Sequence, residues 1–481
     1  MKILVTGATG YVGGRLVPRL LKKGYQVRAT SRNLLKLTGR YWAQDPNVEI
    51  VPSDALDSES LLKAVEGCDA AYYLIHSMVQ EGKQFEKTDQ EAASNFLAAS
   101  ESAGLKRIIY LGGLGNEQDQ LSRHLQSRRE VGEIFQKGKI PITILQAAMI
   151  IGAGSASFEI LRYLVEYLPI MVTPKWVRTE VQPIAIVNVL NYLVGVLEKR
   201  ETAGQNYDIG GPEITTYQKL MDTYAQVIGL KKRVVIRVNF LSPWLSSHWI
   251  GLVTPLPSSL GKPLVEGLSN RVICQENRIR EIIPQTLLTA REAMQKAIEL
   301  TYYDKVETSW HDAGIIPPAE WVDRGDPDWA GGTHFENKRT LIIEQPLEKV
   351  WQTILKVGGK TGWYSPMWLW KVRGWIDKRM GGVGLTRGRR SVSHLQVGDS
   401  VDFWRVCDLE PQKRLLLVAE MKLPGKAALE FRLQEKSADR TELTLLARFL
   451  PRALMGRCYW YVLVPFHRWI FNSILKQIAK D

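Results

Sequence analysis

Residues 2–24 read KILVTGATGYVGGRLVPRLLKKG, and they set the fold of everything that follows. Lys2 to Thr6 is a short apolar run that predicts a buried strand. Tyr11 to Lys23 has the apolar spacing of a helix. Between them Gly7, Gly10 and Gly13 form a G-x-x-G-x-x-G turn. Such a turn lets backbone N–H groups approach a pyrophosphate, whose charge the helix N-terminus also favours. Glycine is required where a side chain would block that approach or separate helix from strand. Thr6, Gly7, Thr9, Gly10, Tyr11, Val12 and Gly13 are therefore the candidate dinucleotide cradle.

Further strand-like segments follow at regular intervals: YQVRATS, VEIVPSD, DAAYYLIHS, RIIYLGG, ITILQAAMIIG and NYDIGG, most of them separated by helical stretches. Alternation of this kind predicts an α/β fold with a doubly wound parallel sheet covered on both faces. The second strand ends in Arg28-Ala29-Thr30-Ser31-Arg32, with no acid to hydrogen-bond a ribose. A guanidinium meets a phosphate through a charge-assisted pair. Arg32, assisted by Ser31, thus points to NADP(H) as the preferred cofactor and NAD(H) as the second choice.

The TGATGYVG turn and the strand–helix succession resemble the extended and atypical short-chain dehydrogenase/reductase superfamily, including its NmrA-like members, over roughly the first 230 residues. The resemblance implies that Asp54, with Ala55 beside it, lies on the adenine side. It also implies that Leu74, Ile75 and His76 line the nicotinamide-ribose side. Active relatives commonly carry Ser or Thr after the fifth strand and Tyr-x-x-x-Lys on the next helix. Here the fifth strand ends LGGLG, with Gly112 and Gly113 at the hydroxyl position, and the nearest counterpart of the second motif is His124-x-x-x-Arg128. That spacing puts both side chains on one helix face. A histidine can donate a proton near neutral pH, and Arg128 would depress its pKa. The alternative is a basic, solvated face salt-bridged to Glu130 and Glu133.

With 481 residues the chain has room for two or three domains. Four dispersed cysteines, Cys68, Cys274, Cys407 and Cys458, match no metal spacing and suggest a reducing compartment. No metal site is expected. The first strand begins at the N-terminus, which leaves no room for a signal peptide, and no apolar run is long enough to span a bilayer. A cytoplasmic location follows, with peripheral membrane association as a further expectation. The expected organisation is a dinucleotide-binding domain over 1–230, a substrate-covering subdomain over 231–300, a linker and docking segment over 301–334, and a separate domain over 335–481. Trp244, His248 and Trp249 would cap the nicotinamide, or else close a sheet edge. Thr289 is a candidate cap for the helix LLTAREAMQKAIEL. Trp310, Trp321 and Trp329 suggest that the linker packs on a surface.

The last part reads as a strand, a helix, strand-like segments without intervening helices and a closing long helix kinked or interrupted at Pro465. ALEFRLQ and TELTLLARF alternate as half-buried antiparallel strands do. This order resembles the α+β helix-grip fold of START-like and polyketide-cyclase-like proteins. The resemblance implies an apolar cavity lined from the aromatic run Trp363, Tyr364, Trp368, Trp370 and Trp375. Joined to a reductase-like N-terminus, it looks like a bacterial two-domain oxidoreductase family whose C-terminal half is a domain of unknown function.

Of the formal net charge of +13, residues 335–481 hold +12, with 26 basic and 14 acidic residues. Clusters at Lys378 and Arg379, and at Arg387, Arg389 and Arg390, suit an anionic membrane surface or acidic substrate, or simply a solvated surface. Nucleic acid ranks lowest, because no recognised motif accompanies the charge. Two function classes follow. One is an NADP(H)-dependent oxidoreductase acting on an apolar carbonyl or enone. The other is a non-catalytic NAD(P)-binding sensor or assembly scaffold with a C-terminal domain that binds a hydrophobic ligand.

Overall fold

The computed structural model describes residues 1–75, 85–115, 121–173, 175–237, 266–303, 305–309, 312, 335–385, 388–451 and 453–481. The chain divides into two compact units, Met1–Ala313 and Gly314–Asp481.

In the first unit, strands β1 (Lys2–Val5), β2 (Gln26–Ser31), β3 (Val48–Pro52), β4 (Ala70–Tyr73), β5 (Arg107–Gly113), β6 (Ile142–Ala147) and β7 (Asn206–Ile209) form one sheet. Its order is β7-β6-β5-β4-β1-β2-β3, and every pairing is parallel. Among the described residues, the longer helices are α1 (Gly13–Lys22), α2 (Leu34–Thr38), α3 (Ser58–Val65), α4 (Phe85–Ser102), α5 (Arg123–Gln136), α6 (Ala156–Tyr167), α7 (Ile186–Glu198), α8 (Tyr217–Val227) and α9 (Ala290–Tyr302).

The pleat of β1 shows why the strand is apolar throughout. Ile3 and Val5 pack with Leu16 and Leu20 of α1 and Val189 and Leu193 of α7. Leu4, on the other face, packs with Leu61 of α3, Phe96 of α4 and Phe135 of α5. Both faces are covered, so no polar alternation survives. Thr289 does cap α9, in a reciprocal capping box with Glu292. Of the expected covering subdomain, Trp244, His248 and Trp249 lie outside the described residues.

The second unit is built from β8 (Phe335–Ile343), α10 (Leu347–Leu355), α11 (Met367–Arg379), β9 (Ser400–Val401), β10 (Trp404–Glu410), β11 (Arg414–Ala419), β12 (Gly425–Ser437), β13 (Arg440–Pro451) and α12 (Ala453–Ile478). The sheet is wholly antiparallel, in the order β8-β13-β12-β11-β10-β9. Leu429, Phe431, Leu443 and Leu445 face Ile470, Phe471 and Ile474 of α12 and Trp351 of α10. The long helix continues through Pro465 without interruption.

A helix, α11, intervenes where strands alone are expected, because the aromatic run from Met367 to Arg379 turns its side chains to two faces rather than alternating. Two further expectations need correction here. The alternation of β12 predicts a solvated Glu430, yet it is buried between Arg414 and Arg432, at 2.7 and 2.6 Å, with Arg448 at 3.5 Å. Three guanidinium groups hold its carboxyl below the usual range against the cost of burial. The aromatic run also divides: Trp363 and Trp370 stack in the core at 5.2 Å, while Trp368 and Trp375 point outward. Among the described residues, no helix is long and apolar enough to cross a membrane.

On α12, His467 lies between Trp460 and Phe471, with ring centroids 5.1 and 5.4 Å away. Its Nδ1 is buried without a hydrogen-bond partner. Burial pushes the imidazole down from 6.5 to about 4. The unfolded chain takes up the proton first, so the fold loses stability as pH falls from about 6.5 to about 4. His467→Phe should make unfolding, followed by tryptophan fluorescence, less steep in pH across this window. An unchanged slope would mean that His467 does not contribute to it.

Candidate dinucleotide-binding site

In the parallel sheet the strand order reverses around β1, whose neighbours are β2 and β4. A crevice outside the carboxyl ends of the strands opens at such a switch point, and ligands of doubly wound sheets bind there. The Gly7–Gly13 turn occupies it. Thr6 Oγ1 donates to Tyr72 O at 3.0 Å and accepts the Leu74 N–H at 3.1 Å, tying the ends of β1 and β4 together. Gly7 has φ 65°, and a Cβ there would stand 2.8 Å from Leu74 O. A Cβ on Gly13 would run into the Gly7 carbonyl oxygen. Only hydrogen fits at either position.

The carbonyls of the turn are already engaged. Gly7 O accepts from Gly10 N, Gly10 O from Gly14 N, and Val12 O from Arg15 N and Leu16 N. Arg40 donates to Thr9 O at 3.1 Å, and the Thr308 hydroxyl to Tyr11 O at 2.8 Å. By contrast, Val12, the N-cap of α1, gives the helix no side-chain cap, and its first turn holds no acid. The first N–H groups of a helix lack intrahelical acceptors, and the helix dipole makes this end positive. Thr9, Gly10, Tyr11 and Val12 are all partly exposed. The arrangement fits a pyrophosphate.

At the end of β2, Ser31 Oγ accepts the Asn33 N–H at 3.2 Å, and Arg32 is exposed. Arg28 is committed elsewhere: it meets Glu49 through two bonds, at 2.9 and 3.1 Å, and donates to the carbonyls of Lys63, Ala64 and Glu66. That pairing holds the Glu49 carboxyl below its ordinary range. After β3, Asp54 Oδ1 accepts the Leu56 N–H at 3.1 Å, and Asn95 donates to Ala55 O at 3.3 Å. Leu74 and Ile75 follow β4 beside Gly7, and His76 lies outside the described residues.

The end of β5 explains the missing hydroxyl. A Cβ on Gly113 would meet Leu125 Cδ2 at 2.8 Å and Arg128 Cδ at 3.1 Å, so α5 fills the space a serine would need. His124 is buried and Arg128 half-buried on one face of α5. Arg128 Nη1 donates to Leu111 O at 3.3 Å, which fixes it to β5. The expectation of a solvated basic face therefore fails for this pair. Tyr11 is no substitute proton donor. Its hydroxyl is buried without a partner, its ring carries the Arg15 guanidinium at 4.6 Å, and burial pushes its phenol far above the ordinary value.

Residues invisible to motif reading secure the turn from behind. Arg15 Nε donates to Thr308 Oγ1 at 2.7 Å and its Nη2 to Ala153 O and Thr308 O. Arg40 pairs with Asp312 at 3.0 Å, both side chains buried, and Lys36 donates to Asp312 O. The segment read as a linker thus begins as a strap on the first unit, held by Thr308 and Asp312. Trp310, Trp321 and Trp329 lie outside the described residues. The one available signal was the pairing of an acid in the linker with basic residues at 36 and 40, which no spacing rule encodes.

Comparison with known proteins agrees with this geometry. Residues 7–156 match the family described as NAD(P)H-binding, and residues 329–474 match one described as a protein of unknown function (DUF2867). Cinnamoyl-CoA reductase 1 of Petunia hybrida is 29% identical over 121 residues, covering 24% of this chain and 35% of that enzyme. The chain thus spans little more than a third of that relative's length. Photosystem II assembly factor Ycf39 of Trieres chinensis is 22% identical over 234 residues, covering 49% of this chain and 71% of that protein. Among solved structures, NADPH-dependent quinone oxidoreductase QOR2 from Escherichia coli, complexed with NADPH, superposes with a TM-score of 0.50 at 19% identity. That match covers 61% of this chain and 98% of the other, and it shows the shared fold. Matches and geometry together give the first unit an NAD(P)-binding, oxidoreductase-like fold.

Asp312→Ala should leave Arg40 buried without its counter-charge and lower stability by about 3–5 kcal/mol in denaturant unfolding. A loss below about 1 kcal/mol, the scale of an exposed pair, would mean that the strap does not anchor the turn.

Proposed function

We propose that the protein is an NADP(H)-dependent oxidoreductase of the atypical short-chain type, acting on an apolar carbonyl or enone. The observation that carries this reading is the crevice itself: an uncapped α1, a turn in which only hydrogen fits at Gly7 and Gly13, and Arg32 exposed at the rim with no acid beside it. The turn amides receive the pyrophosphate, and Arg32 with Ser31 receives the 2′-phosphate. Asp54 and Ala55 border the adenine side, and Leu74 and Ile75 the nicotinamide side. When bound, the reduced nicotinamide supplies the hydride that goes to the substrate carbon. His124 delivers the proton taken up by the substrate oxygen, and Arg128, anchored on Leu111 O, stands on the same helix face. The neighbour solved with NADPH, a quinone oxidoreductase, supports the choice of cofactor and of an apolar acceptor.

The filled space at Gly113 favours a second reading, in which the site binds NAD(P) without turnover and the protein serves as a sensor or assembly scaffold. The assembly-factor relative is consistent with it. In either reading the C-terminal unit would serve to bind a hydrophobic ligand.

Calorimetric titration should give tighter binding of NADPH than of NADH. Arg32→Ala should weaken NADPH by about 1.5–3 kcal/mol, roughly tenfold to a hundredfold, and leave NADH unchanged. Equal affinities, or no effect of the substitution, would overturn the assignment. In a screen of hydrophobic aldehydes, ketones and quinones for NADPH oxidation, His124→Ala should slow turnover roughly 100-fold with cofactor affinity retained. An unchanged rate would remove His124 from the chemistry, and a screen without turnover would favour the scaffold.

A further inference from the structure

Helix α11 is built with two unlike faces. Its inner face is clamped. Asp377 is fully buried and accepts the Gly384 N–H at 2.8 Å and the Lys422 N–H at 2.6 Å. Arg373, one turn earlier, lies 3.8 Å from Asp377 and donates to Lys422 O at 2.9 Å. Trp370 stacks on Trp363 and donates to Ser365 Oγ at 2.6 Å. The helix is therefore rigidly mounted.

Its outer face is apolar and open. Trp368 and Trp375 are 59% and 58% exposed, and Val372, Ile376 and Met380 are exposed with them. Positions 368, 372, 375, 376 and 379 recur at the three- and four-residue spacing of one helix face. Lys371 and Arg379 are exposed along the same face, and the Arg379 guanidinium covers the Trp375 ring at 4.5 Å. Five large apolar side chains in solvent, two of them indoles, are costly unless something covers them.

We propose that this face is a docking surface for an anionic lipid bilayer, with the helix lying in the headgroup layer. Charge selects the occupant. The only acid on α11 is the buried Asp377, against Lys371, Arg373, Lys378 and Arg379. The surrounding unit shares the net charge of +12 carried by residues 335–481, whereas residues 1–334 hold 37 basic and 36 acidic residues. The rest of the chain therefore has no negative excess to answer the face, and a second copy would bring like charge to it. A nucleic acid would satisfy the cations but not Val372, Ile376 and Met380. A bilayer with anionic headgroups satisfies both: the indoles and aliphatic groups enter the headgroup–acyl boundary, and Lys371 and Arg379 meet the phosphates. The other cluster is spent on structure. Arg389 donates to the carbonyls of Val357, Ser391 and His394, Arg390 pairs with buried Asp399 at 3.0 Å, and Arg387 lies outside the described residues.

The test uses the full chain and is independent of the cofactor site, so failure of either reading is seen separately. Flotation with phosphatidylcholine vesicles, with and without phosphatidylserine, should show binding to the anionic vesicles and a blue shift of tryptophan emission. Binding should fall as salt rises, because exposed charges are screened within about 10 Å at 0.1 M salt. Trp368→Ser with Trp375→Ser should lower partitioning about tenfold or more, as should Lys371→Glu with Arg379→Glu. These side chains are exposed, so the melting temperature should be retained and reports that the variants fold. A matched change on the exposed side of α12, Tyr461→Ser with Phe466→Ser, should leave partitioning unchanged. Absence of vesicle binding, equal binding to neutral vesicles, or loss on the α12 change but not on the α11 change would each overturn the proposal.

Discussion

The junction of Thr6 and Gly7 is the constraint on which the first unit depends. One hydroxyl binds the last residues of β4 to the end of β1, donating to Tyr72 O and accepting from Leu74 N. The next residue must then turn sharply with its α-carbon against the Leu74 carbonyl, which a left-handed glycine allows and a side chain forbids. The close approach leaves a crevice at the switch point, and it brings α1 in with its first amides unopposed. The strap at Thr308 and Asp312 fills the rear of the same turn, so the side facing the crevice is left for an anion.

What the sequence made legible was whatever depends on local pattern. Strand, glycine turn and helix at residues 2–24 obey short-range rules, and the parallel strands of the first unit and β8, β12 and β13 of the second follow from apolar runs and alternation. The missing hydroxyl at Gly113 could be read as a departure, but not its cause. Only packing shows that Leu125 and Arg128 already stand where a serine side chain would go. Arg28 and Arg32 are four residues apart and chemically identical. Burial against Glu49 commits the first to structure and leaves the second at the rim. The strap lies nearly 300 positions from the turn it holds, beyond the reach of any spacing rule.

The second unit divides its aromatic residues by the same logic. Trp363 and Trp370 enter a core closed by α10 and α12, while Trp368 and Trp375 sit on the opposite side of α11, a distinction of helical phase that a dense aromatic run conceals. The basic excess divides likewise. Arg390 pairs with buried Asp399, and Arg414, Arg432 and Arg448 surround buried Glu430, so these guanidinium groups are held by structural partners. Lys371 and Arg379 remain outward, beside the exposed indoles of Trp368 and Trp375. One unit thus offers an anion site made of backbone, and the other a basic, aromatic surface made of side chains.

The central claim is that the Gly7–Gly13 turn receives a nicotinamide dinucleotide. Amide hydrogen exchange of the full chain, with and without saturating NADPH, tests it directly. The account predicts slowed exchange concentrated at residues 9–14 and at the end of β4. Unchanged exchange at the turn, or protection confined to other parts of the chain, would contradict it.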